Sequence, residues 1–230
     1  EATAQILAEA KADGISQLTT LQSLQIFANY GLPTPKFGNA QSIADAKRIA
    51  NKIGYPVVLK MSSKTVTHKS DVGGVVTNIK SEAELIEHWT RLMDRLREAK
   101  IIETLDGVVV MQQIKGASRE LVAGIVNKNG THQMMFGLGG IFVEALKEIA
   151  FRPCPLTPLD ATKLIDSTKA KNILGNLRGN SAADKTELRD CLLKLSQLVT
   201  DFPEINEIDA NPIMISEKGE ISVVDARIVL

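Results

Sequence analysis

The chain has 230 residues, of which 44% are hydrophobic and 23% charged, and its 27 basic and 27 acidic residues cancel. This ordinary globular composition can build a core in one or two domains, and it gives no electrostatic reason to expect nucleic acid or a membrane surface as a partner. Cys154 and Cys191 lie far apart without metal-ligand spacing, and the apolar runs are too short to span a bilayer. We therefore predict a cytoplasmic protein. Because the chain begins at Glu1, we interpret it as a processed product or a piece of a longer polypeptide.

The first half of the chain alternates helix and strand signals. Helices are predicted over 2–12, 20–30, 42–54 and from 81 onward. Short apolar strands are predicted over 57–61, 75–79 and 107–112. Ser42 is expected to cap the third helix, and Ser81 with Glu84 to form a capping box for the fourth. Together these signals predict a βαβ-like smaller lobe.

The second half is richer in strand patterns. Strands are predicted over 120–126, 133–136, 141–143, 205–209, 213–215 and 221–224, with helices after the prolines at 153–158, notably 184–200. The whole is an α+β protein of two lobes. Its predicted domains are N-terminal helices (1–32) that pack on the larger lobe, a smaller lobe (33–112) and a larger lobe (113–230).

A lysine and a glycine-rich segment follow each other near the first predicted strands. Lys60 is expected at the end of a buried strand, where its ammonium could meet a phosphate or simply reach into solvent. Gly73 and Gly74 would let backbone N–H groups approach an anion, although the segment lacks P-loop spacing. His68 just before them could be a nucleophile toward phosphorus or an exposed loop histidine without a role.

Two further stretches are compatible with nucleotide binding. Gln112, Gln113 and Ile114 join the predicted lobes, and this link could offer main-chain groups to an adenine edge, with Glu120 as a carboxylate for a ribose. The glycine-dense stretch 136–144 could bind phosphate or let two backbones pass closely, but it lacks the dinucleotide-binding fingerprint.

The C-terminal region carries a candidate metal site. Glu207–Pro212 is expected at the end of one strand and residues 223–227 at the end of another. Asn211 and Asp225 would then supply the hard oxygen ligands that Mg²⁺ prefers. The alternative is ordinary turn chemistry, because the sequence Asp209-Ala-Asn-Pro also favours a turn.

Taken together, these motifs resemble the ATP-grasp (β) part of ADP-forming acyl-CoA synthetases, which are related to succinyl-CoA synthetase. The resemblance covers roughly 18–230 with the motifs in the family's order. The motifs are Pro-Val-Val-Leu-Lys60, His68-Lys-Ser-Asp-Val-Gly-Gly-Val75, Phe136-Gly-Leu-Gly-Gly-Ile-Phe-Val-Glu144, Leu174-Gly-Asn-Leu-Arg178-Gly179, Glu207-Ile-Asp-Ala-Asn-Pro212 and Val224-Asp-Ala-Arg227.

The resemblance implies a role for each candidate. The fold would be an ATP-grasp fold with the nucleotide, ATP or ADP, bound between two α/β lobes. Lys60 would contact its phosphates, residues 112–114 would face the adenine, and Glu120 would bind the ribose. Asn211 and Asp225 would hold Mg²⁺.

The resemblance also implies a phosphoryl relay. His68 matches the second phosphohistidine of the family, carried on a loop thought to swing between sites, and Asp209 matches a carboxylate that steadies it. The first phosphohistidine belongs to a CoA-binding α part, as a separate subunit in an α2β2-like hetero-oligomer or within a longer chain. We therefore expect this chain to bind nucleotide but not to turn over acyl-CoA alone. Gln112-Gln113 and Ser118-Arg119 depart from the family pattern and bear only on the hinge contacts.

Two alternatives remain at this stage. The same domains occur fused to an acetyltransferase in protein-lysine acetylating proteins, where the ATP-grasp part often serves as a sensor. This chain retains His68, Asn211 and Asp225, which favours catalysis. A different ATP-grasp ligase that makes an acyl phosphate directly would need no loop histidine.

Overall fold

A computed structural model describes residues 1–63, 66, 72–116, 119–140, 149–177 and 179–230. The helices are α1 (Ala2–Ala12), α2 (Thr20–Asn29), α3 (Ile43–Ile53), α4 (Glu82–Glu98), α5 (Pro158–Asp166) and α6 (Lys185–Asp201), with 3₁₀ turns at Ile102–Thr104 and Lys169–Ile173. The strands are β1 (Phe37–Ala40), β2 (Val57–Ser63), β3 (Val75–Ile79), β4 (Leu105–Gln112), β5 (Arg119–Lys128), β6 (Thr131–Leu138), β7 (Ile149–Pro153), β8 (Glu207–Ile215), β9 (Ile221–Val223) and β10 (Arg227–Val229). The α+β prediction is confirmed. No helix in this described part of the chain combines the length and apolarity needed to span a bilayer.

Local sequence signals account for the helix starts. The Ser42 and Ser81 hydroxyls accept the N–H three residues ahead at the starts of α3 and α4. The Glu84 carboxylate accepts the N–H of Lys80 rather than that of Ser81, so only half of the predicted capping box is as expected. Asp184 begins α6 by accepting two backbone N–H groups. Such caps satisfy donors that a helix leaves open at its first turn.

Contacts divide the chain into two compact units, and the smaller one comprises residues 19–22 and 35–113. Its sheet has the order β1-β4-β2-β3, with every pair antiparallel. The predicted βαβ-like arrangement is therefore wrong, because β2 and β3 pair directly instead of through a helical crossover. Helices α3 and α4 cover one face of this sheet. Their buried stripes are Ala46, Ile49 and Ala50 on α3, and Leu85, Trp89, Leu92 and Leu96 on α4.

The larger unit comprises residues 1–18, 23–34 and 114–230. Its sheet runs β10-β8-β5-β6-β7, and β9 also pairs with β8. Helix α5 contacts β6 and β7, and α6 contacts β5. The apolar face of α6 is fully buried and contains Leu188, Leu192, Leu195, Leu198 and Val199.

Strand β8 differs from its prediction. Two strands with a turn at Asn211-Pro212 were expected, whereas one strand runs from Glu207 to Ile215. Its register against β5 shifts between the pairs Leu121↔Ile213 and Ala123↔Ala210. One extra β8 residue is accommodated there, as in a β-bulge, and bulges re-aim side chains without ending a strand.

Candidate functional site

Lys60 lies inside the smaller sheet and is only 7% exposed. Strand β2 continues to Ser63, and Lys60 is flanked by Val75 of β3 and Val109 of β4. The predicted strand end at this lysine is wrong, because pairing with β4 continues past it. A buried ammonium must be compensated by polar or charged partners. Lys60 is therefore not a surface lysine that reaches into solvent.

Gly73 and Gly74 form the turn that leads into β3. Gly73 has φ +61° and its carbonyl accepts a hydrogen bond from Arg95 Nη1 at 2.6 Å. A Cβ on Gly73 would lie 2.4 Å from that nitrogen, so no larger residue fits without displacing the arginine. The Gly74 carbonyl accepts the N–H of Met61 at 2.8 Å. Both carbonyls are thus turned toward the body of the smaller unit.

Gln112, which ends β4, and Gln113 are held by hydrogen bonds within the smaller unit. The N–H of Gln112 donates to Lys36 O at 2.8 Å and that of Gln113 to Pro56 O at 3.1 Å. The Gln113 side chain accepts the N–H of Asn78. These two N–H groups are therefore engaged, and an adenine edge would have to meet other main-chain groups of this stretch, such as those around the half-buried Ile114.

The candidate metal ligands of the larger unit lie on β8 and on the segment between β9 and β10. Strand β10 pairs with β8 through Arg227↔Asp209, and β9 pairs with β8 through Ile213↔Val223. The same number of residues separates the two pairs on each side, so their midpoints, Asn211 and Asp225, occupy matching positions along the chain. A hydrogen bond from Val224 N to Pro212 O, 3.2 Å long, fits this register. Asn211 is exposed and Asp225 is half-buried, so both can be reached from solvent.

Glu120 and Asp209 share one face of the sheet. Successive strand residues point to opposite faces, and β5 pairs Gly124 with Asp209 and Glu120 with Met214. Glu120 and Gly124 are an even number of residues apart, so Glu120 and Asp209 lie on one side of the sheet. Asp225 lies between β9 and β10, outside both strands, so alternation along a strand does not assign its side chain to a face. The register therefore brings Glu120 and Asp209 to the same face.

The glycine pair at the end of β6 passes over Glu120. Gly139 donates its N–H to Glu120 O at 2.8 Å, and a Cβ on Gly139 would lie 2.9 Å from the Glu120 carbonyl carbon. Gly140 has φ +65°, and a Cβ there would lie 3.0 Å from Glu120 Oε2. Of the two roles open for this stretch, close passage of two backbones is what these residues show. The predicted strand 141–143 and Glu144 lie outside the described residues.

His68 also lies outside the residues that the structure describes. The other two histidines are accounted for in the fold. His88 is half-buried on α4, and His132 Nε2 lies 2.7 Å from Ile205 O.

Arg119 is a structural residue that the sequence did not reveal. Arg119 is 5% exposed, and its guanidinium donates to the carbonyls of Ile173 and Gly175 at 3.1 Å each, Ser181 at 2.8 Å and Ser216 at 3.1 Å. Burial lowers the pKa of Arg119. The sequence marked Arg119 only as a departure at the hinge. In the structure it ties the segment after the second 3₁₀ turn to the start of β5.

The metal site would be small. Within 1–63, 66, 72–116, 119–140, 149–177 and 179–230, no group of three or more His, Cys, Asp or Glu side chains could hold a metal ion. The predicted ligands are only Asn211 and Asp225, and Mg²⁺ needs few protein oxygens because it keeps several waters and shares phosphate oxygens.

The fold and these residues define an α+β protein of two units, with a buried lysine in one sheet and two carboxylates, those of Glu120 and Asp209, on one face of the other. The ATP-grasp domain family matches residues 9–230. The chain belongs to this family.

Two similar proteins differ in how much of their length this chain matches. The chain is 40% identical to the beta subunit of acetate–CoA ligase (ADP-forming) II of Pyrococcus furiosus, over 98% of this chain and 96% of that protein. It is 34% identical to 4-hydroxybutyrate–CoA ligase (ADP-forming) of Nitrosopumilus maritimus, over 97% of this chain but only 32% of that protein. The chain thus matches a whole beta subunit in one relative and about a third of a longer chain in the other.

Solved structures of an acetyl-coenzyme A synthetase match the fold of this chain. The dinucleotide forming acetyl-coenzyme A synthetase 1 of Ca. Korarchaeum cryptofilum, in complex with coenzyme A, Ca-AMPCP and HgCl⁺, has a TM-score of 0.91 at 34% identity and covers 98% of each chain. The same protein with coenzyme A and Mg-AMPPCP, its phosphohistidine segment pointing towards the nucleotide binding site, has a TM-score of 0.80 at 33% identity and covers 99% of each chain. The resemblance stated from the motifs is confirmed.

Proposed function

We propose that this chain is the nucleotide-binding half of an ADP-forming acyl-CoA synthetase, which converts acyl-CoA, ADP and phosphate into a carboxylic acid, CoA and ATP. The observation that carries this proposal is the sheet face of the larger unit on which Glu120 and Asp209 lie, with Asn211 and Asp225 at matching positions between two strand pairs beside it. The names of the relatives support the same reaction class. They do not favour the sensor domain of an acetyltransferase fusion.

In this proposal the nucleotide is ATP or ADP and the metal is Mg²⁺. Lys60 meets the phosphates, with Gly73 and Gly74 nearby, and residues 112–114 face the adenine. Glu120 accepts hydrogen bonds from the ribose hydroxyls. Asn211 and Asp225 hold the Mg²⁺, which when bound neutralises charge on the transferring phosphoryl group. The Mg-AMPPCP complex of the Korarchaeum relative supports an adenine nucleotide and Mg²⁺ as the bound groups.

His68 serves as the temporary carrier of the phosphoryl group. Its ring nitrogen takes the group from a phosphohistidine of the partner, and that N–P bond breaks as the new one forms. The His68 N–P bond then breaks as an oxygen of the ADP β-phosphate bonds to phosphorus, and imidazole is the leaving group. Asp209 accepts the other ring N–H and so holds the orientation of the ring. Lys60 stabilises the spread charge of the loose transition state.

The partner in this proposal is a CoA-binding α part that carries the first phosphohistidine. It is either a separate subunit, giving an α2β2-like assembly, or part of a longer chain. The Pyrococcus beta subunit supports the first arrangement and the Nitrosopumilus ligase the second. The reaction takes place in the cytoplasm.

Labelling with γ-³²P-ATP and Mg²⁺ tests the relay. The chain should acquire label that is stable to base and labile to acid, as expected for a phosphohistidine. The label should disappear in His68→Ala and persist in the matched controls His88→Ala and His132→Ala. Label that survives in His68→Ala contradicts the relay and favours a ligase that makes an acyl phosphate directly.

The metal assignment has its own test. In Asp225→Asn and in Asn211→Ala, the Mg²⁺ concentration that gives half-maximal labelling should rise at least tenfold, in line with loss of a hard oxygen ligand. Asp166→Asn, an exposed acid of the same unit, is the matched control. An unchanged Mg²⁺ requirement in both site variants would remove these residues from the metal site.

A further inference from the structure

The backbone of Gly139-Gly140 packs closely against Glu120. Gly139 is buried, and the carbons that a Cβ on it would crowd are the Glu120 carbonyl carbon at 2.9 Å, Glu120 Cβ at 3.0 Å and the Leu121 carbonyl carbon at 3.0 Å. The chain leaving β6 is thus pressed against the backbone of β5 at Glu120. Only a residue without a side chain fits at this position without shifting β5.

Gly140 lies beside the carboxylate of Glu120. A Cβ on Gly140 would lie 3.0 Å from Glu120 Oε2, and the next nearest atom is Glu120 Cδ at 3.8 Å. Within the described residues, the Glu120 carboxylate has no hydrogen bond or ion pair. Among the described residues, the turn at Gly140 therefore limits the position of this carboxylate by packing, and none of them donates a hydrogen bond to it.

We infer that Gly139-Gly140 is a positioning and specificity element for the ribose contact: the turn fixes the backbone of Glu120 and leaves room for its carboxylate to meet ribose hydroxyls. This inference rests on the proposed function, in which Glu120 binds the ribose. A carboxylate that accepts no hydrogen bond from the protein can accept hydrogen bonds from a ligand with both oxygens. Selectivity for nucleotides with ribose hydroxyls should then depend on the absence of a side chain at Gly140.

The alanine variant Gly140→Ala is a mild perturbation of this arrangement. The atom that it meets is the far end of a flexible side chain, so the carboxylate is displaced without disruption of the sheet. The backbone strain of alanine at positive φ is shared by a matched control, Gly130→Ala. Gly130 has φ +81°, and a Cβ on it would meet nothing within 4 Å. Both glycines flank β6, so the comparison isolates the contact with Glu120.

Calorimetric titration of the chain with Mg-ADP and with Mg-2′,3′-dideoxy-ADP measures the effect as a ratio of dissociation constants. The ratio should be at least about tenfold in favour of ADP, as for hydrogen bonds to a charged group. It should fall toward unity in Glu120→Ala and substantially in Gly140→Ala, and stay unchanged in Gly130→Ala. The double variant Glu120→Ala/Gly140→Ala should show no further loss, because both changes act through one carboxylate.

The outcomes separate the assignment of Glu120 to the ribose from the positioning role of Gly139-Gly140. If Glu120→Ala leaves the ratio unchanged, the ribose assignment of the proposed function fails. If Glu120→Ala lowers the ratio but Gly140→Ala matches Gly130→Ala, only the positioning role is overturned. Should Gly140→Ala fold poorly by circular dichroism, Gly140→Asn with Gly130→Asn as its control repeats the test, because asparagine tolerates positive φ better.

Discussion

Replacing Arg119 with methionine should destabilise the larger unit by about 3 kcal/mol. The guanidinium ties together parts of the chain that lie far apart in sequence. These are β5, the end of the second 3₁₀ turn at 173–175, Ser181 and the turn that starts at Ser216. Methionine keeps much of the apolar volume but removes every donor.

The magnitude follows from the surroundings of each bond. The bond to Ser216 O is buried, so that carbonyl would lose its donor without replacement by water, which costs about 1–3 kcal/mol. The bonds to Ile173, Gly175 and Ser181 are partly buried, so water can replace the guanidinium there and each loss costs about 0.5–1.5 kcal/mol. Relief of the burial of a charge offsets part of this sum. Arg119→Lys should lose about half as much, because it keeps the charge but not the planar fork of donors.

Urea denaturation followed by far-UV circular dichroism measures the change. With a slope of about 2–3 kcal/mol/M, the midpoint should fall by about 1 M. Trp89 is the single tryptophan and lies in the smaller unit, so its fluorescence monitors that unit separately. Hydrogen exchange adds a local readout. The Ser181 amide, which donates to Glu217 O, should exchange faster in the variant.

The control is Arg189→Met, an arginine on α6 whose side chain is 37% exposed and, among the described residues, pairs with its neighbour Asp190. Surface substitutions of this kind usually stay within about 0.5 kcal/mol. If Arg119→Met lowers the midpoint no more than Arg189→Met, the four carbonyl contacts do not stabilise the larger unit as argued.

Two further predictions concern titratable groups. Burial raises the pKa of Cys191 to about 12 and also raises the pKa of Cys154. Neither thiol should therefore react rapidly with Ellman's reagent at pH 8, and Cys191 should react only on unfolding. Fast reaction of both thiols in the native protein would contradict this. The hydrogen bond from Lys11 lowers the pKa of Glu204, so its contribution is fully present above the unfolded value of about 4.3 and is lost as pH falls through the lower folded value. The ion pair of Lys11 and Glu204 is partly exposed, so the difference in unfolding free energy between wild type and Glu204→Gln should be at most about 1 kcal/mol at pH 6. This difference should approach zero in acid. A difference that grows in acid would refute the contribution of the pair.

The elements that the sequence predicted well are those governed by neighbours along the chain. Helices α3 and α4 begin after Ser42 and Ser81 because a hydroxyl and an N–H three residues on suffice to start a helix. The elements that were missed depend on distant partners. Strand β1 is a four-residue segment held by pairing with β4, and β10 is held by β8. Neither carries an alternating pattern long enough to read.

The candidate site shows the same division. Asn211 and Asp225 were predicted as metal ligands from residue type, and this stays a prediction, but Asn211-Pro212 was assigned to a strand end because Asp-Ala-Asn-Pro locally favours a turn. Pairing with three other strands overrides that preference and carries β8 through the bulge. Lys60 was likewise placed at a strand end, since nothing in its own segment indicates that β4 continues to pair beyond it.

The register that gives Asn211 and Asp225 matching positions has a consequence for how sequences of this kind can vary in length. Residues added to the turn at 216–220 leave both flanking pairs intact, so Asn211 and Asp225 keep their matching positions between them. A single residue inserted between Val223 and Asp225 would lengthen one side of this match and leave the other unchanged, so the two positions would no longer correspond. Related chains that conserve this chemistry should accept gaps at the turn and none between Val223 and Asp225.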